Sequence, residues 1–321
     1  SMDFVEPLIS FIVSRFTTDH SLLFGAYAAL FGYFYLKSVT FSYNLYRQNP
    51  GWNNLIHLIF FIAILPVTAI NGVRMWTAAW IFLYGAFHVI LYRNPLYFII
   101  TAASVFMHWS FITVNAILVI YYFAGNRNLI YLPIAAVSFV LPRFLSTFFQ
   151  KMSLLVGGGL QDRYAMYSGE SYRLVRQEQF QESAWFLKIG YDLVFYYLII
   201  ASIILHYSFS SRINSKNEKN LFSFLLLFLA FVNFGKEIPS FGGRFQMIFL
   251  LFGTLYLILI YSRLPGRNIS FLTFAGLFPM LLLSAINFRQ GADSINVWLF
   301  TPVLGSPLYL PVLSVGELLF H

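Results

Sequence analysis

The sequence predicts an all-α protein, a polytopic transmembrane helix bundle of about 9–11 membrane helices, some short or re-entrant, with one long extracytoplasmic loop. The first observation behind this is composition. Of 321 residues, 59% are hydrophobic and 10% charged, where soluble domains carry roughly 25% charged residues, and the mean hydropathy is +0.71. The second is length: apolar runs of about 20 residues, enough to cross about 30 Å of hydrocarbon as a helix, recur along the chain. The alternating segments of a membrane barrel do not. The third is an interruption, because residues 142–182 hold five cations and four anions between apolar runs. Such a stretch describes a folded extramembrane segment covering an active site at the outer face. Residues 1–321 thus read as a single membrane domain, with 142–182 as an extracytoplasmic loop or lid within it.

Taken in order, residues 4–16 are apolar but too short to cross at 1.5 Å per residue, and read as an interfacial or half-inserted helix. Spans follow at 20–46, 53–71 and 74–92. Residues 95–123 are long for one helix and short for two, with His108, Ser110 and Asn115 near the middle. Spans at 129–149 and 184–209 flank the polar segment, and the last three run at 219–236, 241–262 and 268–288. A tail with Pro302, Pro307 and Pro311 closes the chain. The start, Ser1 to Pro7, is acidic and lacks the basic region of a cleavable signal, so either the first span inserts as an anchor or something upstream has been removed. No tandem repeat or low-complexity segment is apparent.

Loop charge orients the bundle, since cations beside short loops are retained in the cytoplasm. Residues 212–219, with Arg212, Lys216 and Lys219, carry the strongest such signal. Counting from there puts Arg263 and Arg267 inside, and residues 142–182 and 289–321 outside. If 95–123 is a bent hairpin of two short helices, Lys37, Arg47, Arg93 and Arg127 also fall inside. The cytoplasmic side then holds nine cations and one acid, Glu218, while the outer side holds eleven of each, so the net charge of +8 lies on one face. One straight span over 95–123 breaks this pattern, and the hairpin is preferred. Cations dispersed in this way form no stripe and exclude a nucleic-acid partner. With no cysteine in the chain there is neither a disulfide framework nor a thiolate metal site, and the redox compartment stays undecided.

The outward arginines carry the chemistry. Guanidinium matches phosphate bidentately, which points to an anionic ligand at the outer leaflet. Arg74 follows Asn71-Gly72-Val73 at a turn between spans, Arg143 follows Pro142 at the entry to the polar segment, and Arg244 follows Gly242-Gly243 at the head of a span, where free helical N–H groups also favour an anion. Each has a plainer reading as a snorkelling interfacial arginine. Arg289, at the outer end of the last span, joins this set. Asp162 and Arg163 with Tyr164 and Tyr167 offer a carboxylate, a cation and sugar-stacking rings, or else a solvated helix with weak surface ion pairs. Gly157-Gly158-Gly159 is a phosphate nest or a hinge, since no Lys-Ser/Thr follows to make a P-loop. A mobile hinge before an aromatic arm suits a lid, and a static cap is the alternative. His108 is an ionisable ring near the centre of an apolar stretch, costly unless it is useful or holds a helix break through Ser110. His20, His57, His88 and His206 lie near predicted span ends and read as interfacial. No His-Glu-x-x-His or comparable ligand spacing exists, so neither a metal nor a cofactor is expected. Asp162 is the first choice of general base and His108 the alternative.

Glu6-Pro7 before a short apolar helix, Asn71-Gly72-Val73-Arg74 opening a span, His108-Trp109-Ser110 in a broken span and Arg244 ahead of a Phe-rich helix together resemble the EpsG family of bacterial exopolysaccharide proteins over most of the chain. That family is similar to the Wzy, or O-antigen, polymerases. The resemblance implies a glycosyltransferase that joins lipid-diphosphate-linked oligosaccharides at the outer face of the bacterial cytoplasmic membrane. Arg74, Arg143 and Arg244 would hold the diphosphate, with Arg163, Arg289, Glu6, Tyr164 and Tyr167 also in the substrate site. It implies as partners a polyprenyl-diphosphate-linked oligosaccharide, the lipid bilayer and other polysaccharide assembly proteins. Members usually begin with a further transmembrane helix and an outer loop bearing an Arg-x-Gly-x-Asp-Tyr-like motif, whereas this sequence starts just upstream of Glu6, and Met75 stands where glutamine is frequent. An O-antigen-ligase-like transferase would use the same donor with another acceptor. A flippase would show two related halves with broken helices at matching positions, and no such correspondence is visible. A non-catalytic subunit of an export complex would need no converging arginines.

Overall fold

The computed structural model describes residues 4–141, 184–209, 215–236, 242–264 and 268–292, and among these every regular element is helical. In chain order the α-helices are α1 (Val5–Ser14), α2 (His20–Tyr46), α3 (Trp52–Ile64), α4 (Val73–Tyr92), α5 (Phe98–Met107), α6 (Phe111–Ala124), α7 (Asn128–Ser138), α8 (Trp185–Ser208), α9 (Lys216–Gly235), α10 (Gly242–Tyr261) and α11 (Phe271–Ala292). Among the described residues seven helices are long and apolar enough to cross a membrane: α2, α3 with its continuation to Ala69, α4, α8, α9, α10 and α11. The chain is therefore a polytopic helical membrane protein, and α1, α5, α6 and α7 are shorter apolar pieces.

Apolar patterning on all sides decides which helix lies at the centre, because a helix apolar all round has no polar face to turn to water. The α10 window is 89% buried inside the protein and that of α2 only 17%. Thus α10 is the axis, packed by α3, α8 and α9, while α2 leaves most of its apolar surface at the periphery. The end of the bundle that carries the first turn of α4 is called the upper end below.

Residues 95–123 form the bent hairpin. Helix α5 stops at Met107, His108 is extended, and α6 begins at Phe111. Ser110 meets His108 Nδ1 through both its N–H and its hydroxyl, each at 3.4 Å, so the histidine bridges the break. Both outer ends of the hairpin return to the lower end. There Arg93 donates to the Tyr122 carbonyl at 2.9 Å and lies 5.2 Å from the Tyr121 ring centre. Gly85 allows α5 to lie against α4, since a Cβ there would stand 3.0 Å from the Thr101 nitrogen and 3.1 Å from the Tyr97 carbonyl oxygen. Close backbone approach at a small residue is the usual packing device of membrane helices.

Amides clasp the two ends of the bundle. At the lower end Asn126 bonds Asn220, which donates to the Ile90 carbonyl; Asn49 and Asn53 donate to the Leu264 and Asn268 carbonyls. Beside these lies a cavity of about 280 Å³, lined in part by Asn49, Asn53, Asn54 and Tyr261. At the upper end α3 stops before Pro66, which cannot continue its ladder. Asn287 from α11 donates to the orphaned carbonyls of Ala63 and Ile64 at 3.0 and 2.9 Å.

Two of the expectations change. His57 and His206 are not interfacial: His57 is completely buried, with Nδ1 against the Asn53 carbonyl and Nε2 against the Tyr197 hydroxyl. His206 is buried, 2.8 Å from the Tyr256 hydroxyl and stacked on Phe222. In each case tyrosine partners from other helices let the ring enter the core. The span expected at 129–149 is helical over α7, and its continuation beyond 141 lies outside the described residues.

Candidate functional site

A second cavity, about 210 Å³, opens at the upper end where α3, α4, α8, α10 and α11 meet. Its walls include Thr68, Trp76, Tyr191, Met247, Asn287 and Gln290. Two aromatic rings with hydroxyl and amide groups between them suit a sugar, whose ring faces stack and whose hydroxyls exchange hydrogen bonds. Tyr191 is anchored for this, donating its hydroxyl to Asn287 Oδ1 at 3.1 Å. At below about 300 Å³ the space falls under the usual range for a whole ligand, so it fits one residue of a longer substrate.

Three predicted arginines stand on helix ends at the same end of the bundle as this cavity. Arg74 is the second residue of α4 and exposed; Arg244 is the third of α10 and half-buried; Arg289 lies in the last turn of α11 and is half-buried. None lines the cavity, but each lies close in sequence to a residue that does: Arg74 between Gly72 and Trp76, Arg244 three before Met247, and Arg289 beside Gln290. The first two also sit on helix N-termini, whose unpaired N–H groups and dipole add positive potential. Arg289 has a structural reason as well, since a cation at a helix C-terminus complements the dipole.

The hairpin tip comes to the same end. The Phe111 ring lies 5.9 Å from that of Phe245, the neighbour of Arg244, and 6.3 Å from His108. Glu6, in the first turn of α1, is held nearby. The Tyr27 hydroxyl donates to its carbonyl at 3.0 Å, and the Phe4 N–H donates to the Phe106 carbonyl one turn before the tip. Glu6, Arg74, His108, Arg244 and Arg289 therefore share one end of the bundle. Arg143, Asp162, Arg163, Tyr164, Tyr167 and the glycine run 157–159 lie outside the described residues.

One polar cluster at this end was missed from the sequence. Asp192 of α8 accepts from Lys236 Nζ at 3.0 Å and from Gln246 Nε2 at 3.1 Å. Lys236 is the C-cap of α9 and is brought close by Gly242, where a Cβ would lie 2.6 Å from the Lys236 Cα. The signal was available: Asp192 is the one acid within a predicted span of 26 residues, 184–209, and an intramembrane carboxylate needs a partner or a task. Among the described residues no group of three or more His, Asp or Glu side chains is placed to hold a metal ion.

Comparison with curated proteins and with solved structures returns no match. The motifs that suggested a family from the sequence, Asn71 to Arg74, His108 to Ser110 and Arg244, fall on a helix start, the hairpin tip and a second helix start at one end of the bundle. The family model described as EpsG family matches residues 2–301, and the chain belongs to the EpsG family.

Proposed function

We propose that this protein is a membrane glycosyltransferase that lengthens a polysaccharide by joining lipid-diphosphate-linked oligosaccharide units at the outer face of the bacterial cytoplasmic membrane. Family membership supports a Wzy-like polysaccharide polymerase role in general. The observation that carries the finer reading is that Arg74, Arg244 and Arg289 stand on helix ends at the same end of the bundle as a cavity walled by Trp76, Tyr191 and Asn287. A leaving diphosphate develops charge as the glycosidic bond breaks. Fixed guanidinium groups and the N-termini of α4 and α10 offset that charge without reorganising. In this reading no metal or cofactor is assigned to the step. The aromatic and amide walls receive the sugar next to the bond that breaks, while the lipid tail stays in the bilayer beside the helices. The polar segment 142–182, which joins α7 to α8 with Arg143, Arg163, Tyr164 and Tyr167, would cover this end.

The test is incubation of the purified protein in liposomes with extracted lipid-linked oligosaccharide units. Longer lipid-linked glycans together with released polyprenyl diphosphate are the expected products. Passage of units across the bilayer with no lengthening would make the protein a transporter. Transfer only to a different acceptor would make it a ligase, and no change at all would leave it an assembly subunit.

A further inference from the structure

An ionised side chain inside a membrane helix is expensive unless partnered or functional, and Asp192 is placed in the second turn of α8. Three helices fix it. Lys236 from the end of α9 and Gln246 from the first turns of α10 both donate to the same oxygen, Oδ1. A carboxylate has about four acceptor positions, and no hydrogen bond or ion pair among the described residues uses Oδ2. The side chain is 40% exposed and Lys236 39%, so the carboxylate is reachable. Its sequence neighbour Tyr191 and the neighbour of its partner, Met247, both line the upper cavity. Arg244 stands two residues before Gln246 on the same helix end. A carboxylate with one oxygen tethered and the other without a hydrogen bond among the described residues, one position along α8 from a residue that lines a cavity fit for one sugar, has the layout of an oriented base.

We propose that Asp192 is the general base of chain lengthening, an assignment that rests on the glycosyltransfer reading above. The hydroxyl oxygen of the acceptor sugar attacks the anomeric carbon of the donor, forming the new glycosidic bond. The anomeric carbon–oxygen bond to the diphosphate breaks, and its electron pair leaves on the diphosphate oxygen. The hydroxyl proton passes to Asp192 Oδ2 and from there to water, and nothing is oxidised or reduced. Lys236 and Gln246 are positioning residues that hold Oδ1 so that Oδ2 faces the acceptor.

The competing account is an ion pair at the membrane edge. Such an exposed pair contributes little to stability, so its loss would be nearly silent. Three variants in proteoliposomes separate the two: Asp192→Asn, Asp192→Glu, and the exchange of Asp192→Lys with Lys236→Asp, which restores an ion pair with the charges reversed. A base predicts that Asp192→Asn lowers kcat for glycan extension by about 100-fold or more. The KM for lipid-linked donor and protein abundance should hold. Asp192→Glu should retain part of the turnover, and the exchanged pair should stay inactive. Wild-type-like kcat in Asp192→Asn, or recovery of turnover in the exchanged pair, would overturn the assignment while leaving the polymerase reading intact. A wild-type protein that lengthens no glycan would instead overturn both.

Discussion

At Arg244 a planar fork and a point charge lead to different outcomes. If the guanidinium binds the donor diphosphate through two parallel N–H donors, lysine keeps the charge and loses the geometry. Arg244→Lys should then reduce the initial rate of glycan extension by about 10- to 100-fold, the equivalent of one charged hydrogen bond of about 1.5–3 kcal/mol, at equal protein abundance. Normal polymerisation by the lysine variant would return Arg244 to the role of interfacial anchor. Asn287 gives the opposite kind of expectation, because its amide closes the two carbonyls that Pro66 leaves behind at the end of α3. Asn287→Leu keeps the volume and removes the donors, leaving polar groups unsatisfied where little water reaches. A loss of about 1–3 kcal/mol is expected, read as a lower unfolding midpoint in detergent.

At the scale of elements the α5–α6 hairpin is the feature most exposed to a single substitution. Its first arm touches α4 through Gly85, where a Cβ would meet Thr101 Cγ2 at 2.6 Å and backbone atoms at 3.0 and 3.1 Å. The side chain can turn away, but the backbone of α5 cannot without moving the arm. Gly85→Ala should therefore destabilise by about 1–3 kcal/mol, the usual cost of overpacking, and displace His108 at the tip. Limited proteolysis checks this, with faster cleavage near residue 109 than in the wild type as the expected result.

For the whole molecule the hairpin decides how many times the chain crosses. Because its ends meet at Arg93 and Tyr122, residues on either side of it lie at the same end of the bundle, and Asn126 reaches Asn220 there. The chain has no cysteine, so single-cysteine labelling has no background. Arg127→Cys and Lys216→Cys should both be labelled only after the membrane is opened, in keeping with the cation-rich face as the cytoplasmic one. Labelling of either position in intact cells would refute this orientation.

Much of the architecture was legible because the bilayer acts as a uniform solvent and apolar length alone reports a crossing. Predicted spans at 20–46, 74–92, 184–209 and 241–262 fall on α2, α4, α8 and α10 with shifts of a residue or so at their ends. The hairpin followed from balancing nine cations on one face, a global constraint carried entirely by sequence. What hydropathy cannot carry is which side chain meets which. His57 sits near a span end by count, yet it is buried because Tyr197, 140 positions away, supplies a hydroxyl. Asp192 was visible as a lone acid, but only folding brings Lys236 and Gln246 to its Oδ1, with no hydrogen bond to Oδ2 among the described residues. Local composition and a sum of charges were enough for the all-helical fold class, the bounds of several long spans, the bent hairpin and the family resemblance. The tertiary structure alone decided that α10 is the axis, that Asn287 closes α3, and that five of the predicted site residues share one end of the bundle. Those outcomes depend on distances of about 3 Å between segments far apart in the chain, and hydrogen bonding at that range is set by packing.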